Sequence, residues 1–308
     1  MEKYNRIESF RHMELGDLKN KLDNIFEITG AVKDVPFSSV FPEIYENKGF
    51  DMHRYFEDDF LKSFNGLMLN NGATIKKVFG TVFLDSGVLD KIFQEKETDV
   101  LILSHHPTED ETGGVGFIPI DEDNLKRMRE MRISVYSVHA PLDTNESIST
   151  AGSIANSLNL REFSRHIEAV DGFEGIVGEL PEALEFEEFI NLIKDILGNK
   201  KINFIKRKDM VKKIGIVPGG GTDPTLIKKA MDFGCDTYLT GEYYNKLKTP
   251  RGDIERDSFN KLVDRLDINM IEGSHYSTEK LVFLKEIPHL FATLGLPYQF
   301  VEQNDPWY

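Results

Sequence analysis

Leu101-Ile-Leu-Ser-His-His-Pro107 runs an apolar segment straight into two histidines and a proline. Val100 to Leu103 is short, apolar and partly β-branched, the pattern of a buried strand. Proline has no amide to give a ladder, so Pro107 ends the strand and leaves His105 and His106 at its carboxyl end. In an open α/β sheet that edge is where ligands bind. Neighbouring side chains on extended backbone diverge. The two imidazoles are therefore poorly placed to share one ion and better placed to face two ions of a close pair. An isolated His-His pair reads more readily as one structural and one exposed histidine; the downstream sequence shifts that balance.

Strands and helices alternate on both sides of this stretch. Upstream, Leu15 to Ile28 carries apolar residues at helical spacing, Val78 to Leu84 reads as a strand and Ser86 to Phe93 as a helix. Pro36 to Asp59 is aromatic-rich and irregular, and reads as a long loop packed on the core. Downstream, Thr108 to Gly116 is an acidic, glycine-rich loop, with Glu109-Asp110-Glu111 solvated. Asp121 to Met131 reads as a helix, Ile133 to Val138 as a strand, and Ser147 to Leu158 as a helix with Ala151, Gly152 and Ala155 on one face. Gly175 to Leu180 and Ile202 to Ile205 read as strands around a helix over Phe186 to Leu197. A strand over Lys213 to Val217, a triple-glycine turn and a helix over Pro224 to Phe233 come next. Thr237 to Leu239 and Asn269 to Ile271 read as strands flanking a helix over Ser258 to Leu266, and a last helix starts near His275. This alternation predicts an α/β fold with mostly parallel sheets.

An internal echo is visible. Phe79-Gly-Thr-Val-Phe83, a helix and Thr98 to His106 make one unit. Ile214-Gly-Ile-Val-Pro218, a helix and Cys235 to Tyr243 make another at nearly equal spacing. Either the chain is two related α/β lobes, or two βαβ units simply look alike. In the first case Glu242 and Tyr243 stand opposite His105 and His106. The expected division is an N-terminal lobe over 1–170 and a C-terminal lobe over 171–308, with the site between them.

A chain of 308 residues is long enough for one large or two medium domains. Its net charge of −15 argues against bulk binding to nucleic acid or an anionic membrane, which both need clustered cations. Cys235 is the only cysteine, so no intramolecular disulfide forms and a reducing cytoplasm is the default location. Met1 to Lys19 is charged, without the apolar core of a signal peptide, and no apolar run is long enough to span a bilayer.

Two further clusters carry ligand-type residues. Val138-His-Ala-Pro-Leu-Asp143 follows an apolar strand, so His139 and Asp143 leave at the same sheet edge as His105 and His106. In Gly273-Ser-His-Tyr-Ser-Thr-Glu279, His275 and Glu279 are four apart, on one face of a helix start. Of eight histidines, these four fall within a residue or two of a predicted strand end, whereas chance would scatter them. His12, His53, His166 and His289 lie in helix or loop context and read as structural or solvated. Imidazole plus carboxylate without thiolate suits Zn, Mn or Fe. Gly219-Gly220-Gly221-Thr222 before a helix reads as a tight turn, with a phosphate cradle as the alternative. Tyr243 and Tyr244 read as packing residues at the pocket's border.

The ordered set resembles the Nif-three-like family of dinuclear metal proteins, whose members are often labelled GTP cyclohydrolase I type-two homologues. The residues that carry the resemblance are Leu103-Ser-His-His-Pro107, His139 with Asp143, and Ser149 to Ala155. Val217-Pro-Gly-Gly-Gly221, Leu239-Thr-Gly-Glu242 and Gly273 to Glu279 complete it. The likeness runs from about Phe64 to about Leu294, most of the chain. The chain departs from the pattern after its Thr-Gly, where Glu242-Tyr243-Tyr244-Asn245 stands in place of an acidic residue and histidines. It also lacks the extra inserted domain of longer members.

The resemblance implies a Nif-three-like fold of two interlinked lobes and two divalent metal ions, Zn, Mn or Fe. His105 and Asp143 would hold one ion, His106 and His275 the other, and Glu279 would bridge them. His139 would be a proton carrier or orienting residue, making His139 and Glu279 the catalytic pair. The implied activity is metal-dependent hydrolysis of a nucleotide, cyclic amide or phosphoester; the alternative is a non-enzymatic metal carrier or regulatory protein. The likeness also implies a homo-oligomer, a toroidal homohexamer with its sites facing an inner cavity.

Overall fold

Val100–Ser104 is a strand buried along its whole length, with a parallel neighbour on each side. In the computed structural model it is the centre of a five-stranded sheet, ordered Tyr298–Phe300, Lys77–Thr81, Val100–Ser104, Ile133–Ser137, Gly66–Leu69. Four strands run parallel and only the Gly66–Leu69 edge is antiparallel. The structure describes residues 12–28, 33–110, 117–169, 172–244, 250–305 and 307. Residues 1–11, most of the Thr108–Gly116 loop, Asn245 and the 170/171 junction lie outside them, as does the side chain of His166.

A second sheet has six strands, ordered Asn203–Ile205, Asn269–Glu272, Thr237–Thr240, Met210–Val217, Gly172–Glu185, Arg161–Ala169. Three of them, Met210–Val217, Thr237–Thr240 and Asn269–Glu272, are parallel, and the other three pair antiparallel. The fold is the expected α/β pair of lobes, with an antiparallel half in the second sheet that the alternation pattern did not contain. The C-terminal strand Tyr298–Phe300 returns to the first sheet, so the lobes are interlinked.

The helix His275–Lys285 lies between the sheets and is buried at every position from Tyr276 to Phe283. Tyr276, Val282 and Phe283 share a core cluster with Leu101, Leu103 and Tyr136 of the first sheet. Leu281 belongs to the cluster of Ile216, Leu239 and Ile271 from the second. A helix enclosed on all sides has no polar stripe, which is why its sequence is not amphipathic. Each side chain such as Phe283 contributes about 1.5–3 kcal/mol by leaving water. The helix Thr150–Ser157 packs against it through the small-residue face that carries Ala151 and Ala155.

The 36–59 stretch is ordered, not an irregular loop. Val35–Lys48 is a helix, capped at Asp34 and carrying Pro36 in its first turn; Asp58–Ser63 is another. Proline is tolerated in a first turn, where its missing amide would have had no partner. Phe41, Tyr45, Phe56, Phe60 and Phe64 then form an aromatic cluster in the first lobe's core. The helix expected from Ser258 begins at Pro250. Among the described residues no helix is long and apolar enough to cross a membrane.

Candidate metal centre

The parallel strands end in register. Ser104 is paired with Thr81 and Ser137 in the first sheet, and Thr240 with Val217 and Glu272 in the second. The segments leaving these ends carry His105–His106, His139, the glycine turn, Glu242 and His275, so both sheets present their carboxyl edges to one place. His105 and His106 still reach their neighbour strand, donating backbone amides to Thr81 and Val82 carbonyls at 3.2 and 2.8 Å. Both side chains are buried, and their rings stand 89° apart.

His105 Nδ1 lies 2.9 Å from the Val138 carbonyl oxygen. A carbonyl only accepts, so Nδ1 carries the proton, and the neutral ring has its lone pair on Nε2. That Nε2 is buried and makes no hydrogen bond. It faces Asp143 Oδ2 at 3.5 Å and Glu279 Oε1 at 3.7 Å. Three electron-rich atoms gathered in a buried space repel one another unless a proton or a cation sits among them. Thr150 Oγ1 donates to the other oxygen of Asp143 at 2.5 Å, leaving Oδ2 turned to His105.

Glu279 is the centre of the cluster. Its Oε1 is 3.0 Å from His275 Nε2, and its Oε2 is 3.0 Å from His106 Nε2. His275 in turn places Nδ1 3.0 Å from Glu242 Oε1, so a carboxylate on the far side orients the ring. The residue before His275, Ser274, has φ +77°, a left-handed conformation that costs a non-glycine residue about 1–3 kcal/mol. It is held there by bonds on both sides: Ser274 Oγ accepts from the Ser277 amide and donates to Asp305, which also accepts from Ser277 Oγ.

The triple-glycine turn closes the other wall. Gly219 has φ +65°, and a Cβ built on it would collide with Glu279 Oε1 and lie 3.1 Å from His275 Nε2. The amides of Gly219 and Gly221 are taken up by the hydroxyls of Thr278 and Thr240, at 3.1 and 3.2 Å. These two amides therefore serve the turn and the close approach of Glu279 rather than a phosphate.

His139 stands beside the first pair, with ring centroids 4.8 Å from His105 and 4.7 Å from His106. Its Nδ1 lies 2.7 Å from Asp34 Oδ2. Burial disfavours the charged ring, but the carboxylates of Asp34, Asp143 and Glu279 outweigh it and raise the His139 pKa to about 10. The same contest lifts His275 well above the usual imidazole range, against burial and through Glu279 and Glu242. Burial would raise Glu279, yet His275 and then His106 hold its carboxyl far below the usual range.

The donor set fits a metal ion. His105, His106 and His139 form one group, and His106, His275 and Glu279 another, whose donor atoms lie within 4.8 Å of one another. Aromatic rings enclose it: Phe83 on His106 at 4.3 Å, Trp307 on His275 at 4.8 Å, and Phe37 edge-on to His139 at 4.9 Å.

All six residues singled out in the sequence, His105, His106, His139, Asp143, His275 and Glu279, meet at this place. Of the other histidines, His12, His53 and His289 are exposed, and His166 falls in the strand Arg161–Ala169 rather than in helix or loop. Asp34, Glu242 and Phe37 were not read as part of the site. Asp34-Val-Pro36 carried a helix-cap signal, and Glu242 was visible as the counterpart of His105. Tyr243 and Tyr244 pack on Phe259, at 5.5 and 5.8 Å between ring centroids. Tyr243→Phe is accordingly expected to leave bound metal unchanged by elemental analysis; an emptied site would move Tyr243 from packing to function.

Two α/β sheets sharing a buried cluster of histidines and carboxylates that could hold a metal ion define the class of protein. The Duf34/NIF3 (NGG1p interacting factor 3) family model matches residues 60–306, and the chain belongs to this family. A Deinococcus radiodurans protein named GTP cyclohydrolase 1 type 2 homolog is 24% identical over 245 residues, 78% of this chain and 84% of its own. One of the same name from Borreliella burgdorferi is 25% identical over 266 residues, 84% of this chain and 95% of its own. The solved structure of protein ybgI, of unknown function, superimposes with a TM-score of 0.69 at 18% identity, covering 96% of this chain and all of ybgI.

Proposed function

We propose that this protein binds a close pair of divalent cations and hydrolyses a small molecule, a nucleotide or a related phosphoester or cyclic amide. The observation that carries the reading is His105 Nε2, buried without a hydrogen bond and facing the carboxylates of Asp143 and Glu279. His105 with Asp143 would hold one cation, His106 with His275 the other, and the two oxygens of Glu279 suit a bridge. A bound pair of divalent cations generates a hydroxide from water near neutral pH and steadies a developing oxyanion. The side chains supply the rest. Glu242 keeps His275 turned inward, and His139 is placed to take a proton from, or return it to, groups at the cluster. The name shared by the Deinococcus and Borreliella relatives supports a nucleotide substrate. A ring-shaped homohexamer working in the cytoplasm belongs to the same proposal and rests on the family likeness.

The test is to strip metal with a chelator, reload with Mn, Zn or Fe, and assay GTP and a panel of phosphoesters and cyclic amides. Turnover should vanish on stripping and return on reloading. One observation favours a second reading, a metal carrier: the donor residues are enclosed, with His105 0%, His106 2% and Glu279 4% exposed. Full loading without turnover of any compound, together with rapid transfer of metal to an acceptor protein, would replace the hydrolase with the carrier.

A further inference from the structure

We infer that Asp34 is a positioning residue for His139, fixing its imidazole in the metal-loaded protein with the proton on Nδ1 and leaving Nε2 to serve the metal cluster. Its purpose rests on the hydrolytic reading; its geometry does not. Asp34 is fully buried, and its two oxygens have separate partners. Oδ1 accepts from the Phe37 amide at 3.3 Å and caps the helix Val35–Lys48. A cap needs only that one oxygen and is ordinarily near solvent. Oδ2 lies instead 2.7 Å from His139 Nδ1, across 105 residues of sequence. A carboxylate accepts and cannot donate, so Nδ1 is the proton-bearing atom.

The ring has little room to turn away. The His139 amide donates to Asn65 Oδ1 at 2.7 Å, fixing the backbone. Phe37 stands edge-on to the ring at 4.9 Å, with His105 and His106 beside it. A His139 nitrogen is grouped with those of His105 and His106, and with Nδ1 engaged by Asp34 that role falls to Nε2. Asp34 and Phe37 lie one helical turn apart, upstream of residue 60, where the family match begins. A segment outside the matched region thus supplies both the acceptor and the wall that set this histidine.

The test uses Asp34→Asn. Asparagine keeps the size of the side chain and a carbonyl for the Phe37 amide, but turns an NH2 donor to His139. Nδ1 must then accept, and the proton moves to Nε2. Zinc-loaded protein labelled with 15N-histidine would be read by long-range proton–nitrogen NMR, with His139 identified by the signals lost in His139→Gln. The expected result is a protonated Nδ1 in the unsubstituted protein, a protonated Nε2 in Asp34→Asn, and the same zinc content in both. Against any compound the unsubstituted protein turns over, kcat should fall about 10²–10⁴-fold with KM little changed. Asp34→Ser, which keeps a cap but falls short of His139, should show the same kcat loss if Asp34→Asn folds poorly. An unchanged His139 signal in Asp34→Asn, or kcat unchanged in both variants, overturns the inference. A shifted signal in a protein that turns over nothing supports the positioning role and rejects the hydrolase.

Discussion

Gly219→Ala is expected to empty the metal site, although it adds a single methyl group. The position sits at φ +65°, and the new Cβ would occupy the space of Glu279 Oε1. Glu279 cannot simply move aside, because its oxygens are held 3.0 Å from both His106 and His275, and its helix is buried along most of its length. The left-handed backbone alone costs alanine about 1–2 kcal/mol, which lowers Tm by a few degrees. The collision adds a specific loss: bound zinc or manganese should fall from about two ions per chain to less than one, given one bridging carboxylate. Gly198→Ala separates the two effects. Gly198 has the same φ of +65° and nothing within 4 Å of its virtual Cβ. It should lose the same few degrees and keep its metal, as read by elemental analysis and thermal melting. Equal metal content in the two variants would mean that the glycine turn does not shape the site.

The same glycine shows what the sequence could and could not reveal. As a strand-to-helix turn it was legible, since three consecutive glycines have few other uses. Its approach to Glu279 was not, because it depends on a helix 56 residues further on lying between the sheets. The histidines at 105, 106, 139 and 275 were legible for a local reason: each follows an apolar strand, and in parallel sheets the strand end fixes the edge. Asp34 and Glu242 do their work across 105 and 33 residues, on rings whose orientation no spacing rule contains. The strand Arg161–Ala169 of the antiparallel half was missed because it is mostly polar, with only Phe163 and Ile167 to mark an apolar face. In the helix Val35–Lys48, Pro36 sits in the first turn and Pro42 inside the helix, so neither proline marks a helix end there.

Glu279→Gln should reduce bound metal from about two ions toward one or none, since an amide presents one oxygen and one NH2 donor where a bridge needs two oxygens. It should also change the metal-free protein, with a sign that the charges fix. His275 is held charged above its ordinary 6.5, so its contribution is complete below that value and fades as pH rises through the raised one. Glu279 is held charged below its ordinary 4.5, so its contribution is complete above that value and fades as pH falls through the depressed one. Between 4.5 and 6.5 both contributions are complete, and there the substitution strips a buried imidazolium of its main partner. Breaking such a pair from one side costs on the order of 3–5 kcal/mol. Denaturant melts of the chelator-treated proteins should therefore show the widest gap between the unsubstituted chain and Glu279→Gln in that interval, narrowing toward strong acid and strong base. A gap independent of pH would mean that the carboxylate stabilises this cluster by shape and packing rather than by charge. The electrostatic case for a cation among His105, Asp143 and Glu279 would fall with it, since that case assumes the buried carboxylate is ionised.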